Sequence, residues 1–177
     1  MQTEIRKLNI DKINGELFSN FVRRQEVGDC WRKIDGTWVI KPDPFIDDWS
    51  EEDYTFLVSC LKNTIATGGV VYGAFLDGRL KGFCSVEAEP LGSEGQYRDL
   101  TSIHVSEEMR GHGTGKKLFR AAADWARAQG AEKLYISAHS AVETQAFYRG
   151  LGCVEAEEYQ SVHAEKEPFD CQMEYQL

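Results

Sequence analysis

The chain has 177 residues, 42% of them hydrophobic, and a formal net charge of −9. That length can bury a sizeable core as one domain, residues 1–177, without disulfides or metals. An acidic surface repels phosphate backbones and argues against a nucleic-acid partner; no apolar run approaches the roughly 20 residues of a membrane span. The first ten residues mix charges into a strand-like pattern and lack the apolar core of a signal peptide, so a cytoplasmic location is expected. The five cysteines (Cys30, Cys60, Cys84, Cys153, Cys171) and four histidines (His104, His112, His139, His163) show no metal-ligand spacing, and no metal site is expected.

Residues 3–9 alternate as a first strand. Residues 12–40 hold Phe18, Phe21, Val22, Trp31 and Trp38 without a single period, and one or two short helices are expected there. Lys41-Pro42-Asp43-Pro44 reads as a stiff loop, because each proline fixes φ and restrains its predecessor. Ser50-Glu51-Glu52-Asp53 opens a helix with a hydroxyl N-cap and acids in the first turn. Phe56, Leu57, Cys60, Leu61 and Ile65 follow at helical spacing, and Gly68-Gly69 end the helix. Asp77-Gly78 between Val70–Leu76 and Leu80–Glu89 marks a hairpin. Leu91–Gln96 is a further turn, and Tyr97–Val105 a strand. The period of two puts Asp99, Thr101, Ile103 and Val105 of that strand on one face.

Arg110-Gly111-His112-Gly113-Thr114-Gly115-Lys116 comes next. Its glycines let the backbone turn tightly and lie bare. A helix start carries outward N–H groups and favours negative charge. Here it carries the cations Arg110, Lys116 and Lys117 instead, a conflict that a bound anion would remove. Leu118, Phe119, Ala122, Trp125 and Ala126 then draw the apolar stripe of an amphipathic helix closed by Gly130. Lys133–Ala138 is a short strand. Ser140-Ala141-Val142-Glu143 reads as a capping box, opening a helix that runs through Phe147 and Tyr148 to Gly152. Strands near Val154–Tyr159 and Cys171–Leu177 follow, joined by the polar linker Ser161–Phe169. In the last strand Cys171, Met173, Tyr175 and Leu177 share a face. Nothing beside Cys153 in sequence supplies an activating base, so it reads as core. The order describes a mixed α/β layer fold, and the strand–helix–strand crossover at 97–138 implies parallel pairing.

Three phosphate-loop patterns compete for the glycine loop. A P-loop needs glycine at 110, which is Arg110, and serine or threonine at 117, which is Lys117. The dinucleotide fingerprint needs its third glycine one position beyond Gly115. Arg110-x-x-Gly113-x-Gly115, between a strand and a helix, resembles the acetyl-CoA signature of the GCN5-related N-acetyltransferase (GNAT) superfamily. The resemblance runs over roughly residues 70–159 and includes Ala146-Phe147-Tyr148 and Leu151-Gly152 on the last helix. The chain departs from the family at Ser140-Ala141, where asparagine is frequent, and at Cys153, where a large apolar residue is usual.

The resemblance implies an α/β (α+β) GNAT fold: a mixed central sheet of six or seven strands, helices on both faces and a splayed parallel strand pair. It implies acetyl-CoA as co-substrate. Ile103, His104 and Val105 would offer backbone groups to pantetheine, with the Val105 N–H polarising the acetyl carbonyl. Arg110, Gly111, His112, Gly113, Thr114, Gly115 and Lys116 would hold the pyrophosphate. Tyr148 matches the family's general acid; a phenol of pKa about 10 can protonate a thiolate of similar basicity. Asp99 and Glu87 are both candidates for the general base. Trp31 and Glu87 are candidates for the acceptor pocket, in a stretch that also holds Trp38, Trp49, Asp43, Asp47, Asp48 and Glu89. Aromatics mixed with acids suit an amine-bearing cation. The expected activity is acetyl transfer to a primary amine of a small cationic molecule, by direct attack in a ternary complex. A non-catalytic acyl-CoA-binding module and a protein or peptide N-acetyltransferase are the alternatives. The alternating C-terminal strand permits a homodimer.

Overall fold

A computed structural model describes residues 2–177. Its elements are β1 (Glu4–Lys7), β2 (Arg24–Ile34), β3 (Thr37–Asp48), α1 (Glu51–Ala66), β4 (Val70–Leu76), β5 (Arg79–Val86), β6 (Tyr97–Val105), α2 (Thr114–Ala128), β7 (Lys133–Ala138), α3 (Val142–Leu151), β8 (Val154–Glu155), α4 (Ser161–Lys166) and β9 (Cys171–Gln176). One mixed seven-stranded sheet runs β1-β4-β5-β6-β7-β9-β8, while β2 and β3 form a separate hairpin.

Local chemistry sets several of the ends. The Ser50 hydroxyl accepts from the Asp53 N–H and the Asp53 carboxylate accepts from the Ser50 N–H, so both sides of the α1 capping box are made. Asp77 and Gly78 both have positive φ, 51° and 74°, as a tight two-residue hairpin turn requires.

The sheet buries both faces. Val70, Ala74, Cys84, Val86, Leu134, Ile136, Cys171 and Met173 pack with Leu118, Phe119 and Ala122 of α2 and with Tyr148 of α3. The alternate residues Val71, Leu80 and Phe83 pack under Leu61 of α1. Helices α2 and α3 therefore share one face, with α1 on the other. Cys153 is buried in the first of these clusters, as core, and burial pushes its thiol up to about 12.

Strands β6 and β7 are parallel for three pairs only, Tyr97–Lys133, Arg98–Leu134 and Asp99–Tyr135. Just beyond, β6 carries a bulge: Ser85 pairs with Ser102 and Val86 with Leu100, leaving Thr101 extra. A bulge bends its strand and sharpens the twist. Strand β6 stays with β5 as far as the Gly82–Val105 pair and parts from β7. The bulge also overturns the one-face expectation for β6. Leu100, Ile103 and Val105 face the α2 side, whereas Asp99 faces away from it and meets His163 of α4.

The short helices expected within residues 12–40 are the 3-10 helices Ile10–Lys12 and Gly15–Phe18, but Trp31 and Trp38 lie in the long hairpin of β2 and β3. Four other expectations fail. Lys41–Pro44 lies inside β3, where Asp43 and Pro44 fill a bulge between the Val27–Phe45 and Asp29–Pro42 pairs, a place where a proline's missing N–H is tolerated. Ser140 caps nothing. Its hydroxyl accepts from Arg32 Nη1 at 2.6 Å and its carbonyl from the Trp31 N–H at 2.8 Å. Strand β8 ends at Glu155, and the Glu158 carboxylate is drawn off to Ser93 and Gln96. The polar linker then forms the short helix α4.

The β2–β3 hairpin spans the parted strands. At its root the Val22 N–H donates to Ser106 Oγ and Val22 O accepts from the Glu107 N–H, just past β6. Farther along, Trp31 and Arg32 bind Ser140, just past β7. On the α1 side, α4 is held by His163 Nε2 against Asp99 Oδ2 at 2.5 Å and by His163 stacked on Tyr135.

Leu118 is fully buried between α2 and the sheet. Leu118→Ala is expected to lower stability by about 2–5 kcal/mol, read as a fall in the urea midpoint. The bond to Asp99 raises the His163 pKa above its usual value, against the effect of burial. A raised histidine adds stability that is complete below its unfolded pKa of about 6.5 and fades as pH rises through the folded value. His163→Gln is therefore expected to cost more stability at about pH 6 than at about pH 9. Urea midpoints at both pH values check this, and a gap that fails to shrink contradicts it.

Candidate active site

Where β6 and β7 part, the structure holds a cavity of about 1080 Å³. Its walls are β6 from Leu100 to Val105, the end of β7 from Ile136 to His139, the loop and helix start around Arg110–Lys116, and the Ala146–Leu151 part of α3. The hairpin adds Arg23, Asp47 and Trp49, and the segment after α4 adds Glu167 and Asp170. Small-molecule pockets span roughly 300–1,000 Å³, so the volume suits two substrates meeting in one space.

One end is built for an anion. Gly111 and Gly113 both have φ of 81°, where a side chain would be strained. Gly113 is the N-cap of α2 and makes no side-chain cap bond, and no acid stands in the first turn. The first N–H groups of a helix have no intrahelical partner and attract anions. A Cβ at Gly115 would lie 3.1 Å from the Phe147 ring, so a larger residue would push that ring back by a few tenths of an ångström. Arg110 and Lys116 stand on the same wall.

The free edge of β6 faces the cavity. Ser106 N–H donates to Lys81 O at 2.8 Å, which makes Gly82–Val105 a non-hydrogen-bonded pair. The N–H and C=O of Val105 therefore point away from β5 into the opening. By alternation those of Ile103 do too, while the His104 backbone bonds to β5.

Side chains flank the opening from both faces of the sheet. Tyr148 is 6% exposed. Burial raises its phenol well above the usual value, and the charge of Asp170 adds to that. The phenol keeps its proton throughout the physiological range. Ile136 and Ala138 of β7 face Tyr148. Ser137, between them, points the other way and donates from Oγ to Asp170 Oδ2 at 3.0 Å. Burial, with Glu167 beside it, pushes the Asp170 carboxyl up to about 6, against the Ser137 bond.

Two histidines complete the wall. Burial, then the charges of Arg23 and Arg110, push His104 down to about 3. Its Nδ1 accepts from Arg23 Nε at 3.1 Å. Arg23 also reaches Asp47 at 3.3 Å and lies over the Trp49 ring. Burial likewise lowers His139, whose Nδ1 accepts from the Ala141 N–H at 3.0 Å. Both donors are permanent, so each neutral ring carries its proton on Nε2.

Tyr148, Ile103, His104, Val105, Arg110, Gly111, Gly113, Thr114, Gly115 and Lys116 come together on the cavity wall, as do Trp49 and Asp47. Asp99, Glu87, Trp31 and His112 are not on it. Asp99 is turned to His163 by the bulge. Glu87 Oε2 accepts from Thr64 Oγ1 at 2.9 Å and Thr101 Oγ1 at 2.7 Å, tying α1 to β6. The Trp31 indole lies under the Arg149 guanidinium at 4.8 Å. Sequence reasoning missed Asp170, Glu167, His139 and Arg23. The only signal for Asp170 was its place immediately before an alternating strand; the Ala138–Cys171 pairing sets it beside the end of β7.

Among the described residues, no group of three or more histidine, cysteine or acidic side chains is placed to hold a metal ion. No helix of the described residues is long and apolar enough to cross a membrane.

A search of curated protein sequences gives no match. Solved structures do match. Nourseothricin acetyltransferase is 18% identical over 99% of both chains, with a TM-score of 0.73. A Bacillus anthracis str. Ames protein assigned as a streptothricin acetyltransferase, in complex with acetyl coenzyme A, is 16% identical over 100% of this chain and 99% of that one, with a TM-score of 0.75. The PaiA N-acetyltransferase of Thermoplasma acidophilum, in complex with coenzyme A, is 16% identical over 100% of both chains, with a TM-score of 0.61. At those identities the likeness shows the fold. The sequence itself matches the model of the Acetyltransferase (GNAT) family over residues 31–153. A family match across most of the chain, on a seven-stranded sheet opened between β6 and β7, makes this protein a member of the GNAT family of acetyl-CoA-dependent acetyltransferases.

Proposed function

We propose that this protein transfers the acetyl group of acetyl-CoA to the primary amine of a small cationic molecule, working as one domain, with both substrates bound at once. The observation that carries this reading is the two kinds of wall in one cavity: cationic and amide-lined at α2, and elsewhere carrying Glu143, Glu167 and Asp170, none of them within salt-bridge distance of a cation among the described residues. Carboxylates without a cationic partner favour an ammonium group over an anion. The names of two similar structures, nourseothricin acetyltransferase and the protein assigned to streptothricin, also point to small-molecule acceptors.

Bound acetyl-CoA supplies an acetyl thioester, an acyl group on a thiolate leaving group. The amides of Gly111–Lys116, with Arg110 and Lys116, hold the diphosphate. The free edge at Ile103 and Val105 orients the pantetheine arm as a strand partner would, and the Val105 N–H is the donor for the carbonyl oxygen. Tyr148 is buried and protonated; burial holds its pKa above the matched value the sequence suggests, so it gives its proton only as negative charge develops on the departing sulfur beside it. The parting of β6 and β7 opens the carbonyl to an amine from the hairpin side.

Tyr148→Phe is expected to lower kcat by about 10²–10³-fold and to leave acetyl-CoA affinity within about twofold, since a phenol that donates only to the departing sulfur adds little to ground-state binding. Free-thiol release measures the first and calorimetry the second. Unchanged turnover removes Tyr148 from the chemistry. A protein that binds acetyl-CoA but releases no thiol with any amine of a broad panel is a binding module, not a catalyst.

A further inference from the structure

We propose that Asp170 is the general base that takes the proton from the acceptor ammonium. This rests on the acetyl-transfer reading above and assigns a role that neither Asp99 nor Glu87 is placed to fill, since neither lies on the cavity wall.

Elimination narrows the choice. An amine of pKa near 9–10 arrives protonated at about pH 7 and needs an acceptor for its proton. His104 and His139 line the cavity, but each has Nδ1 occupied by a permanent donor, so Nε2 already holds a proton. They can donate to an oxygen and cannot take a proton in that state. Arg23 neutralises Asp47 and stays charged itself. Glu26, Glu143 and Glu167 are exposed at the mouth. Asp170 is the half-buried carboxylate of the wall without a cationic partner within salt-bridge distance.

Its setting fixes both orientation and availability. The Gln160 N–H donates to the Tyr135 hydroxyl at 3.0 Å. The Tyr135 hydroxyl therefore donates onward, to Gln172 Oε1. Gln172 Nε2 donates to Ser137 Oγ at 3.0 Å, and Ser137 Oγ donates to Asp170 Oδ2 at 3.0 Å. A backbone N–H at one end and a carboxylate at the other allow only this direction. The chain holds Oδ2 and leaves Oδ1 for the substrate. The charged and titratable groups acting on Asp170 are Glu167, which raises it, and His163, which lowers it, both from the α4 segment. Tyr148 of α3 and Cys171 of β9 feel its charge in turn. The resulting value of about 6 suits a base at neutral pH.

Asp170 and Tyr148 stand on opposite faces of β7, with Ser137 turned to one and Ile136 and Ala138 to the other. That matches the demands of the reaction. The ammonium gives a proton to Asp170, and the nitrogen lone pair forms the C–N bond. The C–S bond breaks, its electron pair goes to sulfur, and the sulfur takes the Tyr148 proton. The acylated nitrogen still carries a second proton, which passes through solvent to the Tyr148 phenolate, and Asp170 releases its own proton to solvent, so that one proton leaves overall.

The test is kcat/KM against pH for the wild type, Asp170→Asn and Ser137→Ala, with nourseothricin, spermidine and hydroxylamine as acceptors and free thiol as the readout. With the two ammonium acceptors, the wild-type profile is expected to fall on an acidic limb near pH 6. Asp170→Asn is expected to lose that limb, and kcat with it by about 10²–10³-fold. Hydroxylamine, unprotonated at neutral pH, needs no base, and its rate in Asp170→Asn is expected to stay within about threefold of wild type. Ser137→Ala removes a bond that lowers the Asp170 pKa, so its limb is expected to move to higher pH. A limb that persists in Asp170→Asn overturns the assignment, as does a wild-type profile governed only by the acceptor's own pKa. A wild type inactive with all three acceptors counts against the acetyl-transfer reading. The carboxylate is then read by ¹³C NMR of labelled aspartate. A signal titrating near pH 6 and missing from Asp170→Asn supports the inference, and its absence overturns it.

Discussion

Everything at the site follows from one failure of strand pairing. Strands β6 and β7 share three residue pairs, and then the Thr101 bulge bends β6 away while it stays bound to β5. A parallel pair that continued to Val105 would have spent the edge groups of Ile103 and Val105 on β7 and left no cavity. Because the pairing stops, those groups stand bare, a state that a buried edge tolerates only when something else satisfies it. The surrounding elements are arranged around that gap. Helix α2 starts at its end, α3 packs beside it through the contact of Gly115 with Phe147, and the β2–β3 hairpin is tied down on both sides of it.

The sheet also separates two kinds of chemistry. On the α2–α3 side the wall is apolar and holds a buried phenol whose proton is firmly bound. On the hairpin and α4 side it is polar and acidic, with a directed chain of hydrogen bonds ending on Asp170. A group lying in the gap meets a protonated phenol on one side and a carboxylate on the other. The acid and base roles proposed for them call for environments that differ in burial and partners, and the two faces of one strand provide that difference.

Much of the fold was legible because it is local. The Asp77-Gly78 turn, the Ser50 cap, the stripe of α2 and the glycine loop each carry their cause within a few residues. The glycine loop and Tyr148, which the structure brings to one cavity wall, were legible for the same reason. The rest of that wall was not. Ser140 reads as a cap, yet its hydroxyl is taken by Arg32 from more than a hundred positions away. Asp99 reads as a partner of Ile103 until one extra residue, Thr101, reverses the alternation. Asp170 reads as loop, and only the pairing of Cys171 with Ala138 carries it to the gap. Prolines 42 and 44 hid a strand because Pro44 sits in a bulge and Pro42 pairs in a two-stranded hairpin, where both strands are edges. Each miss is a long-range contact overriding a local preference.

The most direct measurement is a crystal structure of the protein with coenzyme A bound. The account requires the diphosphate on the amides of Gly111–Lys116, the pantetheine along the free edge at Ile103 and Val105, and the sulfur within hydrogen-bond reach of the Tyr148 hydroxyl. A diphosphate bound elsewhere, or a sulfur directed away from Tyr148, would contradict it.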